Sequence, residues 1–155
     1  MTKDVEGVGN AFAFEDVRLC VEATDCRDAI QKAADVLIDE GKITQGYVTE
    51  MNEAFDTFGP YFVLAPGMAF AHSRPSNSVL ATGLSLVTLD RPVAFGSDAN
   101  DPVWLVCVIA SRNSSEHLNQ LRRIVGFLAD SGAVDMLRRA RTDDDRRAVV
   151  DALNG

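Results

Sequence analysis

A chain of 155 residues, 46% hydrophobic and 25% charged, has the composition of an ordinary globular domain and the length to bury about two-thirds of its unfolded surface. Its three cysteines, Cys20, Cys26 and Cys107, are odd in number and lack CxxC spacing, which excludes a disulfide framework or zinc knuckle and points to a reducing, cytoplasmic setting. The net charge of −8 repels a nucleic-acid backbone and favours a basic protein partner; the longest apolar run, Val103 to Ala110, predicts neither membrane insertion nor a classical secretion leader.

Residues 1–10 are polar and aperiodic and read as a flexible N-terminal arm, followed by a single domain over 11–155. Ala11 to Val21 reads as an edge strand. Thr24 or Asp25 can then cap a helix whose apolar positions Cys26, Ile30, Ala33 and Leu37 recur at helical spacing and stop at Gly41. A second helix starts at Thr44, carries the stripe Tyr47 or Val48, Met51, Phe55 and Phe58, and ends at Gly59-Pro60. Two short strands, 61–65 and 68–71, flank the turn Pro66-Gly67. His72 follows at once, then a loop to Ser78, a strand from Val79 to Leu89, and a connection at Arg91-Pro92.

The unbroken apolar run Val103 to Ala110 predicts a central strand covered on both faces, hence an α/β fold with a mixed central β-sheet flanked by helices on both sides. After a turn, Leu118, Leu121, Val125 and Leu128 mark a helix that starts at Ser114 or Ser115. Two more helices are separated near Thr142. The run Asp143 to Asp145 and the cluster Arg138, Arg139 and Arg141 suit the helix termini on which they fall.

The chain contains only two histidines, His72 and His117, and both fall at element boundaries. A neutral imidazole offers a nucleophilic nitrogen at neutral pH while its other nitrogen is held protonated by a carbonyl. His72 fits that role or that of a hydrogen-bonded loop residue. His117 shares a helix face with Leu121, Ile124 and Leu128, which turns it inward, either to meet His72 or to be satisfied in the core. The two histidines with Cys107 lack a local ligand pair, so no metal site is expected.

The stretch from Phe58-Gly59-Pro60-Tyr61 through Ala65-Pro66-Gly67 to His72-Ser73-Arg74-Pro75, continued by Thr82-Gly83-Leu84, Arg91-Pro92-Val93, Val103 to Ala110 and Glu116-His117-Leu118, resembles the IIA component of the bacterial phosphoenolpyruvate-dependent sugar phosphotransferase system. The resemblance is to the mannitol/fructose superfamily, nearest its ascorbate-type branch. It implies that His72 accepts a phosphoryl group on Nε2 from the phosphocarrier HPr and passes it to a cysteine of a IIB component, with His117 as the second active-site histidine. No cofactor, magnesium or nucleotide is implied. The sequence departs from the family at two places. Ala71 stands where proline is common, and Asn52-Glu53-Ala54-Phe55 lacks the helix arginine of the mannitol and fructose branches. Arg74 is a candidate replacement cation, and Ser73 and Ser85 are weaker candidate donors.

The resulting expectation is a phosphoryl relay for uptake of ascorbate or a related carbohydrate. The alternatives are a regulatory phosphoprotein that reports the state of His72 to a partner, or a degenerate binding domain without transfer. A water-excluding apolar collar is expected around His72, with Met68 and Phe70 in it. A twofold homodimer is left open.

Overall fold

In the computed structural model, which describes residues 12–155, the strands are β1 (Val17–Val21), β2 (Val63–Ala65), β3 (Met68–Ala71), β4 (Gly83–Val93) and β5 (Val103–Ala110). The helices are α1 (Cys26–Asp39), α2 (Gln45–Phe58), α3 (Ser114–Leu128), α4 (Ser131–Arg139) and α5 (Asp143–Asn154). The arm expected over residues 1–10 lies outside the described residues.

The strands form one sheet in the order β1-β4-β5-β3-β2. β1 runs parallel to β4 and β3 parallel to β5, while the β4/β5 and β2/β3 pairs are antiparallel, giving the mixed sheet expected. Every residue of β5 is buried. Alternation along the central strands sorts side chains between two cores. Ala69, Ala71, Val106 and Val108 pack with Ile30, Leu37, Met51 and Phe55 of α1 and α2. Met68, Phe70, Leu105, Cys107 and Ile109 pack with Ile124, Leu137, Val149 and Val150 of α3 to α5. The helices thus cover both faces, as the apolar run of β5 requires.

Asp25, rather than Thr24, caps α1, its side chain accepting from the Asp28 N–H. Thr142 and Asp145 form a reciprocal capping box on α5. Three strand expectations need correction, the first being that β2 begins only at Val63 rather than at residue 61. β1 begins only at Val17, because Phe14–Asp16 form a 3-10 turn in which the Asp16 carboxylate accepts the Ala13 N–H at 2.7 Å. β4 begins at Gly83 rather than Val79, because the segment before it is tied to the α1–α2 connection: Leu80 and Ala81 N–H both donate to the Lys42 carbonyl. β4 then continues through Arg91-Pro92, where its register with β5 shifts between Thr88 and Val93, an irregularity that tolerates a residue without an N–H.

The β2–β3 turn depends on Gly67. Its φ is +76°, and an added Cβ would meet the Trp104 ring at 2.5 Å, while its carbonyl accepts the Trp104 and Leu105 N–H groups. Gly67→Ala is expected to cost about 2 kcal/mol or more from left-handed strain and steric conflict. An unchanged urea midpoint and slope would contradict this.

At the C-terminus of α1, burial, and then the nearby Asp16 carboxyl, push Glu40 up to about 7, with Lys42 opposing. Because the folded chain holds this proton more tightly than the unfolded chain, the stabilisation is full below the ordinary value of 4.5 and is lost as pH rises through about 7. Glu40→Gln is therefore expected to stabilise the protein relative to wild type near about pH 8 and to lose that advantage near about pH 4. Equal gains at both pH values in urea titrations would refute the linkage.

Candidate functional site

β3 and β5 are adjacent and parallel, so their C-terminal ends lie side by side, the edge of an open α/β sheet where ligand sites form. His72 is the first residue past β3. Ser111 to Asn113 lead from β5 into α3. By period two, His72 continues the row of Met68 and Phe70, which faces the α3 side of the sheet. His117 lies in the first turn of α3. The two rings meet with centroids 5.1 Å apart, in a cleft of about 470 Å³ that also touches Tyr61, Arg74, Asn113 and Ala54.

The His72 imidazole is oriented by its own strand. Nδ1 lies 2.8 Å from the Phe70 carbonyl oxygen. A carbonyl only accepts, so Nδ1 carries the proton and Nε2 keeps the lone pair. The backbone is held as well. The Tyr61 hydroxyl donates to the His72 carbonyl at 3.0 Å. The Ser73 N–H donates to the Tyr47 hydroxyl at 2.9 Å, which in turn donates to the Ile109 carbonyl at 2.8 Å. Burial pushes the Tyr47 phenol up to about 12, which keeps it protonated for that second bond. Ala71, at the position where the resembling family commonly has proline, is fully buried and pairs with Val108. The sheet ladder and the two phenols supply the restraint that a proline ring would otherwise give.

His117 is placed by an equally anchored helix start. α3 starts at Ser114, as expected, and Asn113 before it caps the helix by accepting from the Glu116 N–H. The Glu116 carboxylate accepts from the Arg112 side chain and backbone and from the Thr82 hydroxyl. These partners, Arg112 first, hold it down at about 2. One turn on, buried Gln120 donates to the Gly83 carbonyl at 2.7 Å and accepts from Ser111, tying α3 to β4. Burial and the adjoining His72 lower the His117 pKa below the ordinary imidazole value. Desolvation first, and then the neighbouring imidazole, disfavour a proton on His117 and favour its uncharged form.

The remaining candidates separate cleanly. Ser73 and Arg74 border the cleft, and Arg74 is exposed and the sole lysine or arginine among the described residues lining it. Ser85 does not reach the site. It follows the opposite alternation from Leu84 and Leu86, and its buried hydroxyl donates to the Ala33 carbonyl of α1 at 2.8 Å. Met68 and Phe70 are core residues, 8% and 4% exposed, because the strand carries them below the sheet end where His72 emerges. The exposed apolar rim is instead formed by Phe58 and Tyr61, at 68% and 37%. Ala54, within the stretch that lacks the helix arginine, leaves that cleft wall uncharged. Among the described residues no group of three or more histidine, cysteine or acidic side chains is placed to hold a metal.

The sheet-end cleft thus brings a single-tautomer imidazole and a second imidazole face to face. Residues 11–152 match the family described as phosphoenolpyruvate-dependent sugar phosphotransferase system, EIIA 2, and the chain belongs to that family: it is a phosphotransferase component of this system. The ascorbate-specific EIIA component of Escherichia coli K12 is 34% identical over 141 residues, covering 90% of this chain and 92% of that protein. The solution structure of the mannitol-specific cryptic enzyme IIA CmtB from Escherichia coli superposes with a TM-score of 0.81 at 25% identity, over 92% of this chain and 97% of that one. The mannitol enzyme IIA of Escherichia coli, solved in complex with phosphorylated enzyme IIB, shares the fold with a TM-score of 0.78 at 24% identity, over 90% and 96% of the two chains.

Proposed function

We propose that this chain takes a phosphoryl group from phospho-HPr onto His72 Nε2 and delivers it to a cysteine of a IIB component, energising uptake of ascorbate or a related carbohydrate. The observation that carries this reading is the Nδ1 contact to the Phe70 carbonyl, which leaves the Nε2 lone pair as the attacking pair. In the loading step, a bond forms from Nε2 to phosphorus as the bond from phosphorus to the donor breaks, its electron pair leaving with the donor. In the second step the IIB thiolate attacks the same phosphorus, and the P–N electron pair returns to the imidazole.

Such transfers pass through a loose transition state, with negative charge on the equatorial oxygens, so placement and donors do most of the work. His117, whose ring centroid lies 5.1 Å from that of His72, is one such donor. Arriving phosphate charge raises its affinity for a proton and so makes it a better one. Arg74 supplies a further cation in place of the absent helix arginine. Phe58, the more exposed of the two rim aromatics, is the apolar contact that a docked partner covers while water is excluded. No helix among the described residues is long and apolar enough to cross a membrane, consistent with a cytoplasmic relay. The ascorbate-specific relatives support the proposed substrate branch.

The test is to load the protein with phosphoenolpyruvate, enzyme I and HPr, remove the donors, and add ascorbate-type or mannitol-type IIB. Rapid loss of phosphate to the ascorbate-type protein is expected. Preference for the mannitol-type acceptor would overturn the substrate branch. Phosphate that persists with both would favour the regulatory phosphoprotein.

A further inference from the structure

We infer that Tyr61 is a positioning residue for His72, acting on the acceptor imidazole and its backbone together; this rests on the proposed role of His72 as phosphoryl acceptor. The two residues after β3 have left the sheet, and a mobile His72 would present Nε2 over a range of angles. Tyr61 meets this residue twice. Its hydroxyl donates to the His72 carbonyl at 3.0 Å, and its ring stands edge-on to the imidazole, with centroids 5.6 Å apart and planes at 76°.

The tyrosine is itself held in place. Its ring packs on Phe62 at 5.0 Å and meets Phe58 edge-on at 5.9 Å. Phe62 is fully buried and stacks on Phe55 of α2 at 5.4 Å. An aromatic chain therefore runs from the core to the imidazole. It supports the ring on a side that the Phe70 carbonyl does not reach, since that bond restrains only Nδ1. Tyr47 secures the next residue, Ser73, from α2. Tyr61 is the member of the pair that touches the reacting ring itself. Because in-line transfer is sensitive to misplacement on the scale of an ångström, loosening this support slows transfer without removing the nucleophile.

The experiment compares wild type with Tyr61→Leu and Tyr61→Phe. The first readout is the ¹⁵N chemical shifts of the His72 ring in the unphosphorylated proteins, which report the tautomer. The second is single-turnover loading from phospho-HPr as a function of donor concentration. Wild type should show the Nδ1-protonated ring. Tyr61→Leu should show mixed tautomers and load about tenfold more slowly at saturating donor, with its half-saturating concentration changed by less than about twofold. Tyr61→Phe keeps the ring contact and should retain the tautomer, with loading slowed about threefold by loss of the carbonyl bond. Wild-type loading in both variants overturns the inference, as does a change confined to half-saturation, which would make Tyr61 a docking contact. If Tyr61→Leu does not fold, unchanged loading of Tyr61→Phe still overturns the carbonyl clamp. Wild type that accepts no phosphate would sink the relay itself, whereas the ring shifts would still decide whether Tyr61 orders His72.

Discussion

His72→Ala is expected to take up no phosphate from phosphoenolpyruvate, enzyme I and HPr, while wild type gains one phosphoryl group per chain by intact mass under mildly alkaline conditions. The loss should be complete rather than partial, because the substitution removes the attacking electron pair and not merely a contact to the transition state. His117 is not expected to substitute. Its backbone is fixed in the first turn of α3, and moving its ring into the place of His72 would require that helix start to leave its bonds to Thr82 and Gly83. His72 is only part-buried, so the variant should remain folded, which a urea transition would verify. A phosphorylated His72→Ala protein would remove His72 from the acceptor role.

The second large effect is expected for His117→Ala, with loading slowed about 100-fold, the scale associated with losing one well-placed donor to developing negative charge. A purely packing role predicts lost stability and little change in rate at saturating donor. Ring-proton NMR adds a test by sign. In the unphosphorylated protein, burial and the neighbouring His72 hold the His117 pKa below its ordinary value, so it takes up its proton at lower pH than an ordinary imidazole does. A phosphoryl dianion on His72 favours the cationic ring, so phosphorylation should move the His117 titration to higher pH. An unmoved titration would place His117 outside the reach of the phosphate.

Much of this arrangement was legible in the residues. The apolar run of β5 implied cover on both faces, and the spacing of α1 with Gly41 after it marked a helix whose end falls within a residue or two of that glycine. The histidines stood out because they were few and lay at element ends. What periodicity could not reveal was the support behind them. Tyr47 falls on an apolar helical stripe and reads as core, which it is, yet its hydroxyl bonds to residues 26 and 62 positions away. Tyr61 reaches 11 positions along the chain to the His72 carbonyl. Such side-chain to backbone bonds depend on how the sheet end closes and leave no spacing signal. Phe70 shows the complementary error: alternation gives the face on which it lies but not its depth beneath the sheet edge. Ser85 shows the value of the same rule applied fully, since its parity with respect to Leu84 and Leu86 places it on the face away from His72.

The cleft also sets the traffic through this protein. Behind His72 lie the fully buried Ala71 and Val108, and both histidines open onto the same hollow. In the proposed relay, donor and acceptor must take turns at it, and no complex holding both can form. Flux should then follow alternating, ping-pong kinetics. HPr that has already given up its phosphate should compete with IIB for the loaded protein, so raising total HPr at a fixed phosphorylated amount should slow delivery rather than speed it.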